Sequence, residues 1–508
     1  MNIETAAPAK DTAVSERQGS GWDIRNAPRN YLSLIAFQVA SAALSFGAVW
    51  LITRPWHLGS EGYGAIVAVI AASQVAQVFV NWTSIAVVRF GVDEFVETAR
   101  ISKTFWIRFA ILFFNLVFVL SLGVIWFPPL ADWLKLSPES FWLVVVHFGV
   151  SAFWLHIQMS LQGAKMLRAQ GFLQMLERLL IFSGIVALVV YGRLDFYWAV
   201  MCYIAAPAVM VFAGLIMLRR FIFARFTLDG VLVKKILVYS LPLLPFTFVG
   251  YFSGSYVDAV FIAKFLSQGD LGVYSVATQV NGIAMQIPTL ANAILLPLFV
   301  TLRAESGDQR TFNYFRNIVP AVTLFWGLAC VSLAFIGYLL VPVVFGTKFD
   351  GAAIPMWILL SSSVVSIPVA IGYSALANSK SMTYVPMIAA FLSAAVNISL
   401  NFLLIPRYGM AGCAWATLIA YFVSALAFAL LLKQSAKMPI SWTFLAFVPT
   451  VSGAVIISFY GSPLLALAGC LAVSCFVGVF QRRSLLELYS FISGFRGAAN
   501  EPGYRSGI

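Results

Sequence analysis

The amino-acid sequence predicts an all-α polytopic membrane protein with about fourteen transmembrane helices, and three observations support this fold class. Only 10% of the 508 residues are charged and 61% are hydrophobic, with a mean hydropathy of +0.90. A soluble domain of ordinary composition carries about 25% charged residues. Apolar runs of about 20 residues, each able to cross about 30 Å of hydrocarbon as a helix, recur along the chain. The first twelve of these runs also divide into two similar sets of six.

Charged residues and Gly/Pro breaks separate the apolar runs and give their approximate ends. The runs are preceded by a polar segment, residues 1–30, and followed by another, residues 482–508. Both segments predict soluble tails, the first of them disordered, because they contain too little apolar surface to form a core. The fourteen predicted spans are 31–53, 63–88, 104–128, 141–163, 176–192, 196–218, 236–263, 271–300, 317–345, 352–377, 383–405, 410–432, 442–460 and 463–480.

Lysine and arginine are distributed unevenly between the two sides of these spans. Of the 32 such residues, 25 lie in the tails and even-numbered loops and six in the odd-numbered loops. The remaining one, Arg108, starts the third span on the same side as the 25, where we expect it to reach the interface. Cytoplasmic loops carry the excess of basic residues in membrane proteins. Both termini are therefore predicted to be cytoplasmic.

The composition excludes several other classes of function. The net charge of +12 comes from basic residues scattered singly and in pairs, which is unlike the clustered patch of a nucleic-acid-binding protein. The five cysteines lie in apolar runs without CxxC spacing, and the three histidines do not cluster. We therefore expect no metal site and no cofactor.

The first six spans resemble the next six in short matches that keep the same order. Six is an even number, so both sets enter the membrane in the same direction and form parallel repeats, a layout found in transporters. The sequence thus predicts a first six-helix bundle at 31–225, a second at 226–432 and two extra spans at 433–481. The matches are LGSEGYG (58–64) with LSQGDLG (266–272), LQGAK (161–165) with LANSK (376–380), and YGRLDFYWA (191–199) with YGMAGCAWA (408–416).

Longer segments resemble a known family. The chain is similar to the polysaccharide or oligosaccharide-repeat-unit flippases of the multidrug/oligosaccharidyl-lipid/polysaccharide exporter superfamily. The segments that carry the resemblance are RPWHLGSEGYGAIVAV (54–69), YSLPLLPF (239–246), VDAVFIAKFLSQGDLGVYSVATQV (257–280), VFGTKFDGAAIPMWIL (344–359) and NISLNFLLIPRYGMAGCAWAT (397–417).

The resemblance implies a V-shaped pair of six-helix bundles in the bacterial cytoplasmic membrane. It implies translocation of an undecaprenyl-diphosphate-linked oligosaccharide by alternating access, for exopolysaccharide, O-antigen or capsule biosynthesis. Membrane lipid surrounds such a protein, and polysaccharide polymerase and export machinery are further candidate partners. A cation-coupled exporter of drugs or small metabolites, from the same superfamily, is the alternative. A membrane polymerase or ligase is a minor alternative, because no long outer loop carries clustered catalytic groups.

Basic residues in or beside the spans are the candidates for binding the diphosphate, since a guanidinium fork matches phosphate oxygens. Arg89, at the end of the second span, is the foremost candidate, with simple interfacial anchoring as its alternative. Arg54 stands at the outer mouth. Glu177 and Arg178 start the predicted fifth span, where either a solvated helix end or a cavity position fits.

A second group of candidates lies in the later spans. Asp258 is predicted to be a proton or cation coupling site or a gate residue, or an interfacial acid with a structural role. Lys264 is a further gate or coupling candidate, and so is Glu177 of the fifth span. Asn397 and Asn401 share one helix face and either bind a neighbouring helix or line a sugar path. Pro242 and Pro245 predict a kink in the seventh span.

Overall fold

The chain is a multi-pass helical membrane protein. In the described part of the chain no residue is in a strand, and eleven helical segments are long and apolar enough to cross a membrane. The count of fourteen spans stays a prediction. The computed structural model describes residues 27–125, 127–223, 229–241, 255–306, 312–380, 382, 384–436, 441–482 and 484–487.

The described part of the first half consists of nine helices, named α1 to α9 in chain order. Helix α1 packs along α8, and α7 packs along α4 and α9. Polar caps fix two helix starts: Ser137 accepts a hydrogen bond from the backbone N–H of Ser140, and Asp195 accepts one from that of Trp198. The nine helices are Ala27–Ile52, Gly59–Ala76, Val78–Asn81, Ser84–Thr98, Ser102–Ile125, Phe127–Leu134, Pro138–Gly163, Leu167–Val190 and Phe196–Ile222.

Two predicted span boundaries in this half are wrong. The second span is not one helix but three, α2 to α4, which are separated at Gln77 and at Trp82–Thr83. The fifth span begins at Leu167 rather than at 176, so Glu177 and Arg178 lie inside a transmembrane helix and not at its end. The charges of Glu177 and Arg178 account for the wrong prediction, because charged residues in apolar sequence ordinarily mark the end of a span.

Ten further helices, α10 to α19, occur in the described part of the remaining chain. The eleventh and twelfth predicted spans both lie in α16, which turns sharply at Gly409 (φ 58°, ψ −139°). Pro242 and Pro245 lie outside the described residues. The ten helices are Gly230–Ser240, Ser255–Phe265, Gln268–Ser306, Val319–Phe345, Ala353–Pro368, Ser374–Ser379, Tyr384–Ala436, Ser441–Leu445, Val448–Tyr460 and Pro463–Phe480.

The two halves meet where α2 and α12 cross at their first turns. This crossing lies at the predicted outer face, which carries the connections 53–58, 135–137, 191–195 and 266–267. A Cβ atom on Gly64 would stand 1.7 Å from the backbone oxygen of Gln268, and one on Gly272 would stand 2.1 Å from that of Ser60. Gly64 and Gly272 are 208 positions apart, and so are Ser60 and Gln268, which is the offset of the first sequence match. The two glycine contacts are therefore equivalent, and the contact between the repeats is reciprocal. Glycine at both positions lets the backbones touch.

Alanine at Gly272 is expected to force α2 and α12 apart at the predicted outer face, because a backbone carbonyl cannot swing aside as a side chain can. In this variant a cysteine that replaces the buried Ser60 is expected to react about tenfold faster with a membrane-impermeant maleimide than the same cysteine does when Gly272 is retained. A tenfold change corresponds to about 1.4 kcal/mol of overpacking. Gly123→Ala is the control, since no atom lies within 4 Å of its Cβ position. Equal labelling rates in the two variants would contradict the prediction.

Candidate functional site: a polar cavity and a buried carboxylate

A cavity of about 830 Å³ lies between the two halves, near the middle of the helices that form it. Its walls come from α1, α2, α7, α8 and α9 of the first half and from α11 and α12 of the second. Most of its side chains are amides, hydroxyls and aromatics, which suit a hydrated ligand in surroundings that are otherwise apolar. The polar side chains include Gln38, Ser41, Ser45, Gln74, Gln77, His147, Ser151, Gln158, Gln174, Tyr203, Tyr256, Gln279 and Gln286.

Two charged residues, Glu177 and Arg178, are the only ones among the described residues that line this cavity. Helix α8 presents both of them. The Glu177 carboxylate accepts a hydrogen bond of 2.8 Å from the indole N–H of Trp154, which fixes its position. Arg178 also lines a smaller cavity of about 310 Å³ that adjoins the first. Arg178 gives the cavity one cationic binding point, beside the carboxylate of Glu177.

A chain of buried hydrogen bonds leads away from the cavity through the break between α2 and α3. The Gln77 amide donates to the backbone oxygen of Phe148 at 2.8 Å and accepts a hydrogen bond from the Asn81 amide. The Asn81 oxygen in turn accepts a hydrogen bond of 2.8 Å from Arg108. Arg108 is fully buried, so the expectation that it reaches the interface was wrong. The helix break brings these polar groups together inside the bundle.

The second polar centre surrounds Asp258 on α11, whose exposed fraction is 3%. Its carboxylate accepts hydrogen bonds from Thr417 at 2.7 Å, from the Asn401 amide at 3.0 Å and from the Tyr274 hydroxyl at 3.2 Å. Asn401 also donates to the amide oxygen of Asn397 at 3.1 Å. These partners come from α12 and from both arms of α16, and all of them are neutral.

Tyr274 connects the two centres. Its side chain lines the 310 Å³ cavity that Arg178 also lines, and its hydroxyl donates to Asp258. A change in the hydrogen bonding of the carboxylate therefore reaches the wall of the cavity through one side chain. Tyr274 is buried, with 1% of its surface exposed, so its ring has little freedom to move independently.

The sequence matches a family model described as "Polysaccharide biosynthesis protein" over residues 28–303. That match covers more than half of the chain. The chain belongs to the polysaccharide biosynthesis protein family.

The chain is 27% identical over 241 residues to the "Probable low-salt glycan biosynthesis flippase Agl15" of Haloferax volcanii, in a match that covers 46% of the chain and 48% of that protein. The chain thus spans about half the length of this curated relative.

Two transporter structures share the fold at low sequence identity. One is described as "Lipid II flippase MurJ, inward closed conformation", with a TM-score of 0.63, 16% identity and coverage of 88% of this chain and 99% of that one. The other is an inward-facing multidrug resistance MATE family transporter of the MOP superfamily, with a TM-score of 0.56, 13% identity and coverage of 80% and 98%.

The structure of this polysaccharide biosynthesis protein separates the candidate residues into different places. Arg89 is not among the cavity residues: its side chain is 64% exposed and lies 3.9 Å from Asp93. Arg54 stacks on the rings of Trp50 and Trp56 at the predicted outer face. Lys264 lies over the ring of a tryptophan on α6 and is not a partner of Asp258. Arg178 and Glu177 are the charged candidates that the structure places in the cavity.

Several members of the two polar centres escaped sequence reasoning. Tyr274, Thr417 and Asn81 sit among apolar neighbours, and such isolated polar residues within spans are the signal that could have found them. Sequence reasoning also missed the glutamines of the cavity, which carry the same signal. Only the rotation of each helix shows which of these polar groups share a space.

Replacing Asn81 with Ala is expected to lower the free energy of unfolding by about 2 kcal/mol, because it removes a buried hydrogen bond to a charged group. The decrease is measured by titrating the purified protein with sodium dodecyl sulfate and following helix content. Ser121→Ala is the control, since that exposed hydroxyl bonds only to the carbonyl of Val117 in its own helix. A stability equal to that of Ser121→Ala would show that the chain of hydrogen bonds contributes little.

Proposed function

We propose that this protein is a flippase. It moves an undecaprenyl-diphosphate-linked oligosaccharide across a bacterial cytoplasmic membrane, with both termini in the cytoplasm, and supplies the polymerase and export machinery of a cell-surface polysaccharide. The observation that carries this proposal is the polar cavity between the two halves, with Arg178 as its cationic point. Family membership and the shared transporter fold support the same function.

The chemistry of the cavity suits the head of such a lipid. A diphosphate in hydrocarbon would lose its hydration, so it requires hydrogen-bond donors and a positive charge along its path. The Arg178 guanidinium supplies the charge and a fork of N–H donors. The surrounding amides both donate and accept, as sugar hydroxyl groups require. Glu177, held by Trp154, is available to accept a hydrogen bond from a sugar hydroxyl.

Alternating access requires that one face be closed while the other opens. The glycine contact between α2 and α12 provides a closed predicted outer face, and its separation would open the cavity on that side. We propose that the bundles at 31–225 and 226–432 rock against each other and separate at this crossing when the predicted outer face opens. The positive-inside bias supports the orientation: removing Arg178 from the cytoplasmic set still leaves 24 basic residues against six.

Asp258 is proposed as the coupling site. A carboxylate that is 3% exposed and has only neutral hydrogen-bond partners in the described residues requires a proton or a cation to balance its charge. Among the described residues no three His, Cys, Asp or Glu side chains come together as they would at a multivalent metal site. One carboxylate among amide and hydroxyl oxygens suits a proton or a monovalent cation. Tyr274 then transmits the state of Asp258 to the cavity.

Substituting Arg178 with Gln is expected to slow translocation between about tenfold and a hundredfold, as the loss of a charge-assisted hydrogen bond implies. The measurement uses a fluorescent undecaprenyl-diphosphate oligosaccharide in proteoliposomes, with dithionite quenching of the outer leaflet. Arg89→Gln is the matched control and is expected to stay within about twofold of the wild type, because an exposed pair contributes little.

Other outcomes of this measurement reject the proposal. Equal loss in both arginine variants would reject Arg178 as the specific contact. If the wild-type protein moves no lipid-linked glycan but exports a small organic cation down an imposed gradient, the exporter function replaces the flippase function.

An Asp258→Asn variant is expected to fold with equal or higher thermal stability, because removing a buried charge relieves its desolvation. The same variant is expected to lose any acceleration by a proton or sodium gradient. Each gradient is imposed separately on the proteoliposomes, and the initial translocation rate is compared with the rate without a gradient. Retained acceleration in Asp258→Asn would assign Asp258 a structural role only.

A further inference from the structure

A second large cavity, of about 930 Å³, opens on the lipid-facing side of the first half and is here named the outer groove. Its walls come from α2, α3, α5, α6 and α7 and are almost entirely aliphatic and aromatic. Large apolar side chains stay uncovered by protein along it: Phe118 is 63% exposed and Trp142 is 54% exposed. The outer groove is therefore shaped and lined to hold a hydrocarbon chain.

The outer groove reaches the boundary between the two halves. Val260 of α11 forms part of its wall, and α11 packs against α2. Helices α2 and α7 also separate the outer groove from the polar cavity: Val75 and Phe148 face the groove, whereas Gln74 and Ser151 face the cavity. Separation of the halves at the predicted outer face would open the α2–α11 boundary and join the two spaces.

Basic and N–H groups stand at one end of the outer groove, near the predicted outer face. Trp133 lines the groove, and its indole N–H has no acceptor among the described residues. The Lys264 ammonium lies 4.8 Å from the centre of the Trp133 ring, and the Lys135 ammonium donates to the backbone oxygen of Leu266 at 2.6 Å. In the described structure neither lysine forms an ion pair. An apolar groove that ends near two cations is complementary to an anionic lipid.

We propose that the outer groove is an exit site for the translocated lipid. It holds the polyprenyl tail against α5 and α7, while the diphosphate binds Lys264 and Lys135. The polyprenyl lipid is favoured over bulk phospholipid because the groove borders the boundary through which a head group leaves the polar cavity. This inference rests on the proposed flippase function and adds the place where the product waits in the outer leaflet.

Photocrosslinking tests the occupant of the outer groove directly. Benzoylphenylalanine replaces Phe118, which lines the groove, or Phe114, which is 70% exposed on the same helix but does not line it. Each protein is placed in phosphatidylcholine nanodiscs containing undecaprenyl diphosphate, and lipid adducts are counted by mass spectrometry. The Phe118 position is expected to give about tenfold more undecaprenyl-diphosphate adduct than the Phe114 position, corresponding to a specific site rather than random contact.

Charge substitution tests the head-group contact. Lys264→Gln is expected to reduce the adduct at position 118 about fivefold, and Lys264→Arg to retain it, as expected for one basic residue at the membrane surface. Equal adducts at positions 114 and 118 would overturn the proposal. Equal competition by phosphatidylglycerol would also overturn it, because the occupant would then be ordinary anionic phospholipid.

The same samples separate this inference from the flippase proposal. Translocation of the fluorescent lipid is measured in proteoliposomes of the same wild-type preparation. A selective adduct without translocation would reject the flippase and leave the lipid site standing. Translocation without a selective adduct would reject the outer groove alone.

Discussion

In hydrocarbon a buried polar group must find its partner inside the protein, and the arrangement of this molecule depends on that constraint. Many of its buried polar side chains are gathered into a cavity around Arg178, a cluster around Asp258 and a hydrogen-bonded chain that ends at Arg108. The last two of these groups use a local departure from a regular helix. The break at Gln77 supports the chain, and the turn at Gly409 brings Asn401 and Thr417 to the same carboxylate.

The polar cavity lies between the two halves, whereas the Asp258 cluster lies within the second. The cavity draws most of its lining from the first half, which supplies Arg178, Glu177 and many amides for the proposed glycan head group. The Asp258 cluster belongs to the second half and is closed to bulk water. Tyr274 lines the small cavity that Arg178 also lines and donates to Asp258, so the proposed ligand site and the proposed ion site meet at a single ring. Any motion of one half relative to the other would change the backbone contact at the glycine crossing of α2 and α12.

The sequence predicts the helical membrane fold well, because low charge and apolar length are properties of the chain rather than of its packing. It also predicts that Asp258, Asn397 and Asn401 stand apart from their apolar surroundings, and the structure places them together. It makes Arg89 the foremost candidate, whereas the structure places Arg178 in the cavity and leaves Arg89 exposed. A charge at an apparent span end and a charge facing a buried cavity look alike in sequence. The difference lies in where the helix starts and which way it is rotated, and neighbouring helices decide both.

The reciprocal glycine crossing also bears on how the two repeats can diverge. A duplicated segment normally leaves either copy free to change while the other preserves the original property. Here each glycine accommodates the carbonyl of the opposite copy, so neither copy is free to gain a side chain at this position while the other stays unchanged. Positions 64 and 272 are therefore expected to remain small together through evolution, or to be replaced together. The duplication has turned one residue requirement into a paired one.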